Sequence, residues 1–191
     1  MLKIYIIEDD LSVANKVRSL LIKAYQNPEW LKYFEGVCVK EDQIELIRGS
    51  RERIIDGKEH LFYEKDKILN TLTQIVNRRE ETETIGICMD ITLTEEENLR
   101  MPNDSISYIA RELYQLQGDK VYIVPMTGFN RFDEKSLGII GESVEDKFLN
   151  KNLLGNNGFL KDILIFPLAY FLFHGKKPTA ETIDEIAARK D

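Results

Sequence analysis

Short, nearly unbroken apolar runs alternate along the chain with longer stretches in which apolar residues recur every three to four positions. The first pattern predicts buried strands and the second amphipathic helices. Leu2 to Ile7 is the first strand. Leu11 to Tyr25 follows as a helix, with Val13, Val17, Leu20, Leu21 and Ala24 at helical spacing. Asp10 is placed to cap that helix and Asn27-Pro28 to end it. Further strands are expected at Phe34 to Val39, Ile85 to Met89, Val121 to Met126 and around Phe148-Leu149. Further helices are expected at Tyr63 to Glu80, from Asp104 or Ser105 to Gln117, at Glu134 to Ile140, at Phe159 to Phe173 and at Thr182 to Arg189. Alternating strands and helices imply an α/β fold, a parallel sheet of five strands covered on both faces.

The stretch between the second and third strands is too long for one crossover helix. Ile44, Leu46 and Ile47 read as a short helix broken near Gly49, and Asp56-Gly57 reads as a turn before the Tyr63 helix. The expectation is an inserted helical pair over residues 41–84 within a single domain of residues 1–191. A C-terminal extension is expected at about 176–191.

Composition narrows the class. The 191 residues are 43% hydrophobic, as a globular chain requires. A net charge of -7 disfavours general nucleic-acid binding, which depends on basic surface. Arg51 to Arg53, Arg78-Arg79 and Lys176-Lys177 are small basic spots, mostly flanked by acids, and read as solvated faces. Cys38 and Cys88 both lie in apolar, strand-like runs and read as buried thiols of a cytoplasmic protein. His60 and His174 lack zinc-ligand spacing. Lys3 and the acids Glu8 to Asp10 interrupt any N-terminal leader pattern. The longest apolar run, Ile163 to Phe173, is too short to span a bilayer.

The chemistry lies where the strands stop. The first strand ends at Glu8-Asp9-Asp10, the third at Asp90, the fourth at Thr127 and the fifth at Lys151. Ligands of open α/β sheets bind at the carboxyl ends of the strands. Paired acids with a third from a neighbouring strand suit Mg²⁺, a hard cation that takes oxygen ligands. By themselves the first three acids also suit a helix N-terminus. Asp90, however, closes an almost wholly apolar strand, where packing gives no reason for a carboxylate. An Asp carboxylate can accept a phosphoryl group, with an ammonium and a hydroxyl steadying its oxygens.

This order resembles the receiver domain of two-component response regulators. The likeness runs from Lys3 to Lys151, apart from the long 40–84 stretch. Ile4-Tyr5-Ile6-Ile7-Glu8-Asp9-Asp10 is similar to the family's opening strand and acid pair, and Asp90-Ile91 to its phospho-acceptor and follower. Val124-Pro125-Met126-Thr127-Gly128 is similar to the segment holding the switch hydroxyl. Asp146-Lys147-Phe148-Leu149-Asn150-Lys151 resembles the last strand. The resemblance implies a flavodoxin-like, doubly wound sheet of order 2-1-3-4-5. It also implies Mg²⁺ at Glu8, Asp9 and Asp90, phosphorylation of Asp90, Thr127 as switch, Phe148 as the aromatic switch and Lys151 as the phosphate contact. The chain departs from the family pattern at Asn152, where Pro is usual, and in the acidic stretch Glu95 to Glu97 before Met101-Pro102. No DNA-binding output domain follows Lys151 within the chain. The implied role is a stand-alone signalling module rather than an enzyme. Its partners would be a sensor histidine kinase or phosphotransfer protein and a downstream protein. The inserted helices or the Phe159 to Phe173 face are candidate docking or homodimer surfaces.

Two other readings compete. An unphosphorylated pseudo-receiver scaffold would account for the long insertion and the loop after Asp90. Asp90-Ile91-Thr92-Leu93-Thr94 also resembles the nucleophile motif of haloacid dehalogenase-type phosphohydrolases, but Thr92 stands where the general acid belongs.

Overall fold

The computed structural model describes residues 2–27, 39–49, 51–55, 57–78, 83–91, 112, 115–116, 120–127, 149–151, 154–155, 164–176, 178–179 and 181–182. In chain order the elements are β1 (Leu2–Ile7), α1 (Leu11–Gln26), a 3₁₀ turn (Glu41–Gln43), β2 (Ile44–Leu46), β3 (Arg51–Ile55) and β4 (Lys58–Phe62). Then come α2 (Lys65–Arg78), β5 (Thr84–Asp90), β6 (Val121–Thr127), β7 (Leu149–Asn150) and α3 (Phe166–His174). The expected α/β class is observed. Strands β2, β1, β5, β6 and β7 hydrogen-bond in that spatial order, and every pairing is parallel.

Alternation along the strands divides the interior in two. Ile4 and Ile6 of β1, Cys88 of β5, and Val124 and Met126 of β6 face Ala14, Val17 and Leu21 of α1 and Leu168, Phe171 and Leu172 of α3. Tyr5, Ile7, Ile85, Ile87, Met89, Val121 and Ile123 point the other way, onto Ile68 and Leu72 of α2. A strand packed on both faces has no polar side to present. All seven residues of β5 are accordingly buried.

Helix boundaries follow from local chemistry. The Asp10 carboxylate accepts from the backbone N–H groups of Ser12 and Val13, the expected cap of α1. Pro167 falls in the first turn of α3, where a missing N–H costs little, and Gly175 ends that helix with φ +62°. α3 lies so close to β5 that a Cβ on Gly86 would run into Leu168 Cδ1. Leu164, Phe166, Leu168 and Phe171 are buried in the core.

The long connection differs from expectation. Ile44, Leu46 and Ile47 do not form a helix. Ile44–Leu46 is the edge strand β2, in register with Ile4 to Ile6 of β1. Its apolar residues alternate around Glu45, which is exposed and pairs with Lys3 at 3.4 Å. This period of two decides the outcome over so short a run. Among the described residues, the strand that pairs with β1 on this side therefore lies at 44–46. Val39 is buried in the core, and residues 34–38 fall outside the described residues. Nor is the insertion a helical pair. It is a β-hairpin, β3 antiparallel to β4, followed by the single helix α2. Gly57 at φ +78° turns the hairpin. The expected helices at 104–117 and 134–140, the acidic stretch 95–97 and Cys38 lie outside the described residues or nearly so, as does most of the C-terminal tail.

Candidate metal centre

Each acid reaches the centre because a strand stops beside it. β1 carries Glu8 and Asp9 just past its last paired residue, and β5 ends on Asp90 itself. Ile7 pairs with Met89, so the two strands deliver their acids at the same level. One carboxylate oxygen from each of Glu8, Asp9 and Asp90 lies within 4.8 Å of the others. Lys151 follows β7 directly. Its Nζ lies 2.7 Å from Asp90 Oδ2 and donates to Glu8 Oε1 at 2.9 Å. Thr127 ends β6, one residue beyond the partner of Asp90, and is buried.

The electrostatics are severe. Glu8 has no exposed side-chain surface. Burial first, and then the Asp90 charge, raise its pKa well above the ordinary 4.5, with Lys151 opposing them. For Lys151, burial alone would lower the pKa. The charges of Asp90 and Glu8 outweigh it, and the pKa is raised above 10.5. The ammonium is therefore locked in its charged form between two acids. Glu8 Oε2 sits 2.9 Å from the same ammonium yet receives no hydrogen bond of acceptable direction. A buried oxygen in that condition retains acceptor capacity for a cation.

The residues fit a hard divalent ion. Three carboxylates converge, all donors are oxygen, and one buried oxygen is under-used. The cluster can hold a metal ion between strand ends, with an ammonium already present to compensate further negative charge.

The sequence-derived site residues therefore divide. Glu8, Asp9, Asp90 and Lys151 come together, and Thr127 closes the strand beside Asp90. Asp10 caps α1 instead of joining the centre. Phe148 lies outside the described residues. Sequence reasoning missed Tyr63, whose buried hydroxyl hydrogen-bonds the Glu8 carbonyl at 3.2 Å. Its only sequence signal is the short apolar, aromatic run Leu61-Phe62-Tyr63 after the Asp56-Gly57 turn, which suits a strand.

Compared with models of known protein families and with curated proteins, the chain matches none. Among the described residues, no helix is long and apolar enough to cross a membrane.

Proposed function

We propose that the protein is a phospho-accepting signalling module of the response-regulator receiver type, with the flavodoxin-like sheet of that family. The observation that carries this reading is the meeting of Glu8, Asp9, Asp90 and the Lys151 ammonium at the carboxyl ends of parallel strands. In this reading Glu8, Asp9 and Asp90 would hold Mg²⁺, whose charge would offset that of the phosphoryl oxygens. Asp90 Oδ attacks the phosphorus of a phosphodonor. A new P–O bond forms, and the donor's leaving group departs with the electrons of the bond that breaks. Lys151 is already 2.7 Å from Asp90 Oδ2 and needs only a small shift to follow the new charge onto the phosphoryl oxygens. Thr127 supplies the switch hydroxyl and Phe148 the aromatic switch. A receiver of this kind takes its phosphoryl group from a histidine kinase or phosphotransfer protein in the cytoplasm and acts by protein contact.

Incubation with Mg²⁺ and acetyl phosphate is expected to add one phosphoryl group by intact mass, and Asp90→Asn is expected to add none. No adduct on the wild-type chain, or an equal adduct on Asp90→Asn, would end this reading.

A second reading is an unphosphorylated scaffold. The observation favouring it is that the Lys151 ammonium already pairs with both Glu8 and Asp90. Its signature would be unchanged folding and partner binding in Asp90→Asn with no adduct on either protein.

A further inference from the structure

The segment between β2 and α2 grips the acid-bearing turn through its backbone carbonyls. Ile47 N–H donates to Ile6 O at 2.9 Å. The Tyr63 hydroxyl donates to Glu8 O at 3.2 Å. Leu61 N–H donates to Asp9 O at 2.7 Å. On the far side, Ala14 N–H takes Asp10 O at 2.9 Å, the first bond of α1. Three of these four donors come from the region expected to be a helical pair.

Tyr63 is the link that joins both strand ends. Its hydroxyl also reaches Ile47 O at 2.9 Å. With one proton, the hydroxyl serves two carbonyls as a shared bond, tying the end of β1 to the residue after β2. The ring is 1% exposed and packs with Ile68 and Leu72. The phenol is thus anchored by α2 and aimed at the turn. Three carboxylates held close together repel one another, and the turn that carries two of them has reason to splay. Bonds to the carbonyls of Glu8 and Asp9 resist that motion without consuming any carboxylate oxygen.

We propose that Tyr63 is a positioning residue for the cation site, holding the Glu8 end of β1 in the convergent arrangement that a divalent ion needs, beside the Leu61 N–H that holds Asp9. This rests on the acid cluster being a cation site, but not on phosphorylation of Asp90. A cation site whose ligands are pre-organised binds more tightly than one that must be gathered. The metal would feel Tyr63 although Tyr63 is not a ligand.

The test compares two phenols. Tyr63→Phe keeps the packed ring and removes the hydroxyl. Tyr25→Phe does the same to a second fully buried phenol, which donates to Ile165 O between α1 and α3. Mg²⁺ affinity is measured by titration calorimetry on the full chain, and metal-free stability by urea unfolding. Both variants are expected to lose similar stability. Only Tyr63→Phe is expected to weaken Mg²⁺ binding, by about three- to tenfold, the effect of one neutral hydrogen bond. Wild-type affinity in Tyr63→Phe, or an equal loss in both variants, would overturn the role of Tyr63 while leaving the cation site intact. A wild-type protein that binds no Mg²⁺ would overturn both.

Discussion

Lys151 Nζ stands 2.7 Å from Asp90 Oδ2 and 2.9 Å from Glu8, so one ammonium bridges carboxylates that come from separate strands. The side chain of Lys151 is 13% exposed, and those of Glu8 and Asp90 are essentially sealed. In the absence of a metal this cation is the principal counter-charge to the acids around it. Removing it strands buried negative charge, which typically costs about 3–5 kcal/mol. Lys151→Met is therefore expected to lower metal-free stability by roughly that amount at neutral pH, and millimolar Mg²⁺ to restore part of it. Urea midpoints with and without Mg²⁺ measure both effects. A variant as stable as wild type in the absence of Mg²⁺ would contradict the pairing.

Glu8 responds in the opposite sense. Its pKa in the folded protein is raised, chiefly by burial and then by the Asp90 charge. Above the unfolded pKa the folded state holds the extra proton, so stability falls as pH rises from about 4.5 toward the raised value. Glu8→Gln removes that charge. The metal-free variant is expected to be more stable than wild type at neutral pH by about 1 kcal/mol, with weaker Mg²⁺ binding as the functional cost. Calorimetric melts at pH 5 and pH 7 check the sign, because the gain must shrink at the lower pH.

Gly86 tests the packing above the sheet. A methyl group there meets Leu168 of α3, which is held on its other side by a filled core. Gly86→Ala is expected to destabilise the protein by about 1–3 kcal/mol, the cost of overpacking. Gly86→Ala combined with Leu168→Ala should recover part of the loss in a double-mutant cycle. Strict additivity would argue against the contact.

Cys88 supplies an alkaline signature. Complete burial pushes its thiol from 9.0 to about 12. The unfolded thiol ionises first, so between those values the unfolded state binds fewer protons and stability falls as pH rises. Below pH 9 the contribution is constant. The slope from this one group approaches about 1.4 kcal/mol per pH unit between the two pKa values. Cys88→Ala is expected to flatten the pH 9 to 11 stability profile by that amount. In a Cys38→Ser background, Cys88 should resist thiol reagents until the protein unfolds.

The centre was legible because its residues obey a rule visible in one dimension: each closes an apolar run that a parallel sheet must bury on both faces. Asp90 was the clearest signal, since nothing about packing β5 asks for a carboxylate. The helix faces of α1 and α2 were legible for the same reason, through periodicity sustained over several turns. β2 was not. Ile44, Glu45 and Leu46 offer only three residues, and the following Ile47 mimics a helical step. The hairpin was missed although Asp56-Gly57 marked its turn, because Arg51 to Ile55 carries charges in a strand of a separate two-stranded sheet. The role of Tyr63 beside the acids could not be read. Its importance lies in two carbonyls brought beside it by the tertiary fold, and a hydroxyl's address is not written in spacing.

The hairpin's hold on Asp9 bears on attempts to shorten the protein. Residues 51–62 look like an ornament that a plain connector might replace, as loop trimming often does in enzyme engineering. Here the trim would delete the Leu61 amide and leave the Asp9 carbonyl oxygen without that donor, beside the cluster of Glu8, Asp9 and Asp90. A minimal version of this chain has to keep its β3–β4 appendage.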